Sequence, residues 1–145
     1  MSTAPLRLRA EDADDLGLMS AAIQDAVFRM GDLSYLSKER RFLAGLNRFR
    51  WETAGKRGPY HRIRSALAVE DVLAVRSRSV RLGAGDATGA ILDMAFDPGE
   101  PPGGRITLRL AGGGEIAIDV DCIDVTLTDF GDPWTTPRRP DHERA

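Results

Sequence analysis

The sequence predicts an α+β protein: an antiparallel, strongly curved sheet or small barrel, with one helix at its N-terminal end and a second expected at its C-terminal end. Three observations carry this. Helical spacing of apolar residues is clear only near the start, at Leu16, Met19, Ala22 and Ile23. From Ala26 to Cys122 apolar and polar residues mostly alternate, and short turn signals punctuate the alternation. Neighbouring strands are joined by tight turns with no room for a βαβ crossover, so the sheet is expected to be antiparallel. A pleckstrin-homology-like barrel is one arrangement with such an element list, and a helix packed on a sheet satisfies the two-layer rule.

Residues 6–9 form a first short strand, and residues 12–22 form the helix, with Asp12, Asp14 and Asp15 in its first turn complementing the helix dipole. Residues 26–30 and 33–37 read as strands around a Gly31-Asp32 turn. Residues 41–52 read as one long bent strand. Phe42, Ala44 and Leu46 share a face, Phe49 and Trp51 continue with shifted parity, and a bulge near Asn47-Arg48 repairs the slip. Ile63, Ser65, Leu67 and Val69 share a face of the next strand, Glu70-Asp71 is read as a turn, and a strand follows from Val72. Residues 90–96 form a strand, and the segment 97–104 (DPGEPPGG) is neither helix nor strand interior. Ile106, Leu108 and Leu110, then Gly112-Gly113-Gly114, then Ile116, Ile118, Val120 and Cys122 make the clearest hairpin. Residues 123–130 are read as the C-terminal helix from Ile123, Leu127 and Phe130 at i, i+4 and i+7, against the β-branched Val125, Thr126 and Thr128.

A chain of 145 residues fits one domain, assigned to residues 1–134, with 135–145 a disordered tail rich in proline and charge. Cys122 is the only cysteine, so no internal disulfide forms. No signal peptide is visible and no apolar run reaches the length of a membrane span. The expectation is a cytoplasmic protein that does not engage a membrane.

Charge is unevenly spread. Residues 38–81 hold twelve Lys/Arg against four acids, whereas residues 82–145 hold five Arg against twelve acids. Pairing of basic and acidic strands within one fold is the preferred explanation; the alternative is a footprint for an anionic partner.

The motif search is mostly negative. One cysteine and two histidines, His61 and His142, do not make a zinc set, and Asp119, Asp121 and Asp124 fail the calcium-loop pattern at Ile123 and Asp124. No G-x-S-x-G elbow occurs. The segment Ala54-Gly55-Lys56-Arg57 has Arg50 where a phosphate loop needs its first glycine, and the glycines at 83, 85 and 89 match a dinucleotide fingerprint only loosely. No metal and no cofactor are expected. Nucleic-acid binding has the most residues in its favour: Arg41, Arg48, Arg50, Arg62 and Arg64, with Phe49, Trp51 and Tyr60 among them, mix charge and rings as single-strand binders do. Strict alternation prefers Phe49 and Trp51 toward the core and Arg48 and Arg50 toward water.

The stretch 20–42, with Gln24-Asp25-Ala26-Val27, and the stretch Leu46-Asn47-Arg48-Phe49-Arg50-Trp51-Glu52 resemble the DUF2948 family, as do residues 72–79 and 112–134. The resemblance covers about residues 5–140. It implies a small bacterial protein, cytoplasmic, with no established activity and no catalytic residues to carry over.

The function expected first is a non-enzymatic binding or protein-interaction module, its partner unknown and another protein one candidate, whose exposed sheet edges can accept a partner strand or a partner's helix. The alternative is nucleic-acid or anionic-ligand binding through the 38–81 region. The second alternative is an enzyme using His61 and a nearby carboxylate. The candidate site residues are Arg41, Arg48, Arg50, Trp51, His61, Arg62 and Arg64.

Overall fold

The computed structural model of the chain describes residues 5–80 and 85–140. The chain opens with strand β1 (Arg7–Ala10) and helix α1 (Ala13–Ala22). The Asp12 carboxylate caps α1 by accepting from the Asp15 amide at 2.8 Å, which satisfies one of the donors a helix start leaves open. Leu16 and Met19 are its buried face. Strands β2 (Val27–Arg29), β3 (Leu33–Leu36), β4 (Arg41–Phe49), β5 (Tyr60–Val69), β6 (Val72–Arg78), β7 (Thr88–Pro98), β8 (Gly104–Leu110), β9 (Glu115–Val120) and β10 (Val125–Thr136) follow.

The ten strands form one sheet in the order β1-β10-β5-β4-β2-β7-β8-β9-β6, with β3 on the far part of β4. Every pairing is antiparallel. The sheet has two halves. One is β1, β10, β5, β4 and β3; the other is β7, β8, β9 and β6. β2 bridges them with one rung to β4 and three to β7. α1 packs against β1 and β7, and the Ser20 hydroxyl accepts from the Met94 amide at 2.9 Å.

The Glu70-Asp71 turn is a corner, not a hairpin. β5 pairs with β10 through Val69 and Val125, and β6 pairs with β9 through Val72 and Val120. The two-strand ribbon therefore bends from one half into the other. At the bend the Glu70 amide donates to the Asp124 carbonyl at 2.9 Å and the Asp121 amide to the Asp71 carbonyl at 3.0 Å. Asp71 takes a left-handed conformation there, φ 56°, which aspartate tolerates better than most residues. Both halves turn their apolar faces inward, and Phe42, Leu46, Leu67, Ile106, Ile116, Val125 and Leu127 belong to one buried cluster.

Several sequence expectations are corrected. Residues 123–130 are not a helix: residues 125–130 open β10, with Val125, Leu127 and Asp129 buried and Thr126 and Thr128 on the other face. The period-two pattern with its β-branched residues wins because β1 and β5 supply a pairing partner on each side. No bulge interrupts β4, whose register with β5 is continuous from Phe42 opposite Val69 to Phe49 opposite Arg62. The barrel does not close, because its end strands do not pair with each other: β1 pairs with β10 alone and β6 with β9 alone, and β3 branches off β4. β10 also extends through Thr135 and Thr136 into the stretch assigned to a tail, while His142 lies outside the described residues, as does part of the glycine-rich segment 83–89. The helix at 13–22 and the 106–120 hairpin agree with the reading, the hairpin turning at Gly112 and Gly113 with φ 89° and 97°.

The loop between β7 and β8 packs its backbone against the β9 end. A Cβ on Gly103 would lie 2.7 Å from the Val120 carbonyl oxygen and 3.1 Å from that of Asp121. Gly103→Ala is expected to destabilise the protein by about 1–3 kcal/mol, since the obstacles are backbone; the midpoint of urea unfolding measures it.

Candidate functional site

Continuous alternation along β4 puts Arg48 on the same inward face as Phe42, Ala44 and Leu46. It is completely buried. This overturns the water-facing placement of Arg48, and the reason is a carboxylate waiting inside. Asp129, on the inward face of β10, accepts from Arg48 Nε at 2.8 Å and from Nη2 at 2.7 Å. Glu52, in the 3-10 turn Trp51–Thr53, accepts from Nη1 at 2.9 Å and Nη2 at 2.6 Å. Two forked pairs on one guanidinium are the geometry arginine is built for.

Asp129 is satisfied further. The Ser65 hydroxyl donates to it at 2.6 Å and the Leu6 amide at 2.9 Å. Burial disfavours every charge here, but the hydrogen bonds outweigh it. The Asp129 and Glu52 carboxyls are both held below their ordinary range, and the Arg48 guanidinium is held above its own. These depressed carboxyls stabilise the fold fully above the unfolded carboxylate range of about pH 4, and that stability is lost as pH falls through their folded values. Urea unfolding followed from pH 6 to pH 2.5 is expected to decline below about pH 4, and to decline less in the double variant Arg48→Met/Asp129→Leu.

Arg50 is also inside, 5 % exposed, which corrects its placement as well. Its amide donates to the His61 carbonyl at 2.9 Å, so the two residues face each other across the β4–β5 ladder. Its Nε lies 3.7 Å from Glu52, beyond hydrogen-bond reach, and has no hydrogen-bond partner. His61 Nδ1 is likewise buried without one, so no carboxylate orients the ring at that nitrogen as a His–carboxylate pair requires.

The opposite, outward face holds Arg62 and Arg64. Arg62 donates to the Asn47 and Asp25 carbonyls and lies over the Phe49 ring, 5.7 Å from its centroid. Burial lowers its pKa. Arg64 donates to Asn47 Oδ1 at 3.2 Å and pairs with Asp32 at 3.1 Å. Phe49 is buried on this face beneath Trp51 and Tyr60, with ring centroids 4.6 Å and 5.9 Å away. Trp51 donates its indole N–H to the Gln24 carbonyl. Trp134 and Phe130 of β10 flank these arginines and are half-exposed. Arg41 sits at the other end of β4, bound to Glu70 at 2.9 Å. The seven candidate residues thus divide: Arg48, Arg50 and His61 share the inward face, Trp51, Arg62 and Arg64 gather outside, and Arg41 stands apart.

A second feature escaped the sequence reading. At the free edge β6, Val72 pairs with Val120 and Ala74 with Asp119, leaving Leu73 as the extra residue of a bulge. Leu73 is 55 % exposed. It forms one rim of a cleft of about 650 Å³ whose other walls include Asp97, Glu100, Pro101, Pro102, Asp119 and Asp121. Asp119 is bound to Arg105 and Asp121 to Arg40, while Asp97 and Glu100 make no ion pair among the described residues. Tyr35 and Leu36 of β3, which pairs with β4 alone, are partly exposed, and the Tyr35 hydroxyl reaches the Leu73 carbonyl at 3.4 Å. Cys122 donates to Asp71, and that bond together with burial pushes its thiol pKa up, which makes it a poor nucleophile at neutral pH.

No curated protein and no solved structure matches this chain. A family model does, over residues 6–142, under the description "Protein of unknown function (DUF2948)". That span takes in both faces of the β4–β5 ladder and the Leu73 cleft, and on its strength the chain belongs to the DUF2948 family.

Proposed function

We propose that this protein is a non-enzymatic interaction module that takes an extended segment of a partner protein along the open seam between β6 and β3. The observation that carries the reading is the sheet left open at β6, where an edge strand presents a bulged, exposed Leu73 over an acidic cleft. An edge strand is a liability that proteins usually blunt, and a bulge at an edge commonly re-aims a side chain. On the side away from β9, β6 is tied among the described residues only at its start: the Val72 amide donates to the Arg40 carbonyl, and the Leu73 carbonyl accepts from the Tyr35 hydroxyl. Here the bulge pushes an apolar side chain outward instead of hiding it. A partner strand laid on β6 gains main-chain hydrogen bonds, while Leu73, Tyr35 and Leu36 supply apolar contact.

The cleft's charge selects the segment. Arg105, opposite Asp97, gives its hydrogen bonds to Asp119, and Glu100 makes no ion pair among the described residues. The segment therefore carries a lysine or arginine that reaches Asp97 and Glu100 from beside Leu73.

A displayed library of random twelve-residue peptides, panned on the full chain, tests this. Selected peptides are expected to combine aliphatic and basic residues and to lose at least tenfold in affinity on Leu73→Asp. Asp97→Asn with Glu100→Gln is expected to weaken them several-fold and to flatten their salt dependence. Binders indifferent to Leu73→Asp, or none at all, overturn the docking reading. Acidic or neutral binders that still need Leu73 overturn only the charge selection.

A further inference from the structure

The inner end of the β4–β5 ladder carries a feature that the docking reading does not use. Arg50 and His61 face each other across the ladder, both on elements fixed by backbone pairing. Arg50 is more than nine-tenths buried, and its Nε has no hydrogen-bond partner. The Nδ1 of His61 is buried and equally without one. Buried polar groups are almost always bonded, and two exceptions on facing residues call for a common explanation.

The neighbouring acids do not provide it. Both Glu52 oxygens are within 2.9 Å of Arg48, and both Asp129 oxygens are bonded by Arg48 as well. Arg48 thus takes the short bonds of both carboxylates, and Arg50 keeps an ion pair with Glu52 at 3.7 Å that is too long for a hydrogen bond from its Nε. A buried guanidinium N–H left without an acceptor is costly, and the group that satisfies it is an oxyanion, whose oxygens accept from arginine. An oxygen of the same group is within the chemistry of His61 Nδ1, which donates or accepts according to its tautomer.

We infer that Arg50 and His61 form a binding site for a small oxyanion, a phosphate or carboxylate group, at the inner end of the β4–β5 ladder. Arg50 supplies the charge and His61 the second hydrogen bond. Glu52 approaches Arg50 Nε at 3.7 Å, and Trp51 follows Arg50 directly in the chain. The inference stands apart from the seam at β6.

Trp51 gives the readout. In the full chain carrying Trp134→Phe, Trp51 is the only tryptophan. Inorganic phosphate and sodium acetate are each titrated at constant ionic strength against sodium chloride. At least one is expected to change Trp51 emission saturably and to raise the melting temperature with concentration. The arm that responds names the group. Arg50→Lys and His61→Phe are each expected to weaken the effect at least tenfold, while Arg41→Gln, at the far end of β4, leaves it intact. Nitrogen-15 spectra of the imidazole in the unaltered chain provide a measurement free of folding defects: the His61 Nδ1 resonance moves on adding the responding anion. An unmoved His61 resonance overturns the inference. So does an effect equal in Arg50→Lys, or one matched by chloride, which marks an adventitious ion only.

Discussion

Asp129→Ala is expected to cost about 3–5 kcal/mol of stability, the range for breaking a buried ion pair by removing one partner. The cost comes less from the lost attraction than from what is left behind. Arg48 is wholly buried and three chain segments meet at its partner: β4 through Arg48, β5 through Ser65, and the N-terminal strand through the Leu6 amide. Without Asp129 the guanidinium keeps only Glu52 and the Phe49 carbonyl, and Ser65 loses its acceptor. The same reasoning predicts a rescue. Arg48→Met with Asp129→Leu removes both charges and fills the space with apolar atoms, which is often neutral or stabilising. The double variant is expected within about 1 kcal/mol of the parent, although each single variant is severely destabilised. Urea midpoints at constant m-value measure all five proteins: the parent, Asp129→Ala, Arg48→Met, Asp129→Leu and the double variant. A cost below about 1 kcal/mol for Asp129→Ala means that water reaches Arg48, and the inner network then does not organise this end of the sheet.

This network marks where sequence reading works and where it stops. Alternation was legible wherever one face is apolar throughout, as in the 106–120 hairpin and in Ile63, Ser65, Leu67 and Val69, all buried as their parity requires. The same alternation, read without a bulge, carries Arg48 inward after Phe42, Ala44 and Leu46. The bulge was introduced to bring Phe49 and Trp51 to the core, but Phe49 is buried on the other face by Trp51, Tyr60 and Arg62. A second face with its own small aromatic cover has no one-dimensional signature. Asp129 was hidden differently: the helix assigned over 123–130 gave it no sheet face at all. Ser65 in an apolar file was the one available hint of a polar group inside. The Leu73 bulge depends on the β6–β9 register, which the separate strand patterns do not contain.

Phe42→Ala is expected to cost about 3–5 kcal/mol and to unfold both halves of the sheet together. Phe42 is fully buried at the start of β4, opposite Val69 and beside Tyr35 of β3. It therefore stands next to the corner where β5 turns into β6, and the Arg40 carbonyl two residues earlier accepts from the Val72 amide. If the halves were separate cores, a cavity there would loosen β3–β5 and leave the β7–β9 meander standing. One shared cluster predicts the opposite, because Leu46, Leu67, Ile106 and Ile116 belong to the same buried set as Phe42. Both tryptophans, Trp51 and Trp134, lie in the first half, so their fluorescence follows that half, while far-ultraviolet circular dichroism follows all strands. Coincident urea transitions by the two probes, shifted together by Phe42→Ala, are the expected result. A fluorescence transition that precedes the dichroism one would show instead that the corner at Glu70-Asp71 joins two bodies able to open independently, and the seam beside Leu73 would then be a hinge rather than a fixed docking edge.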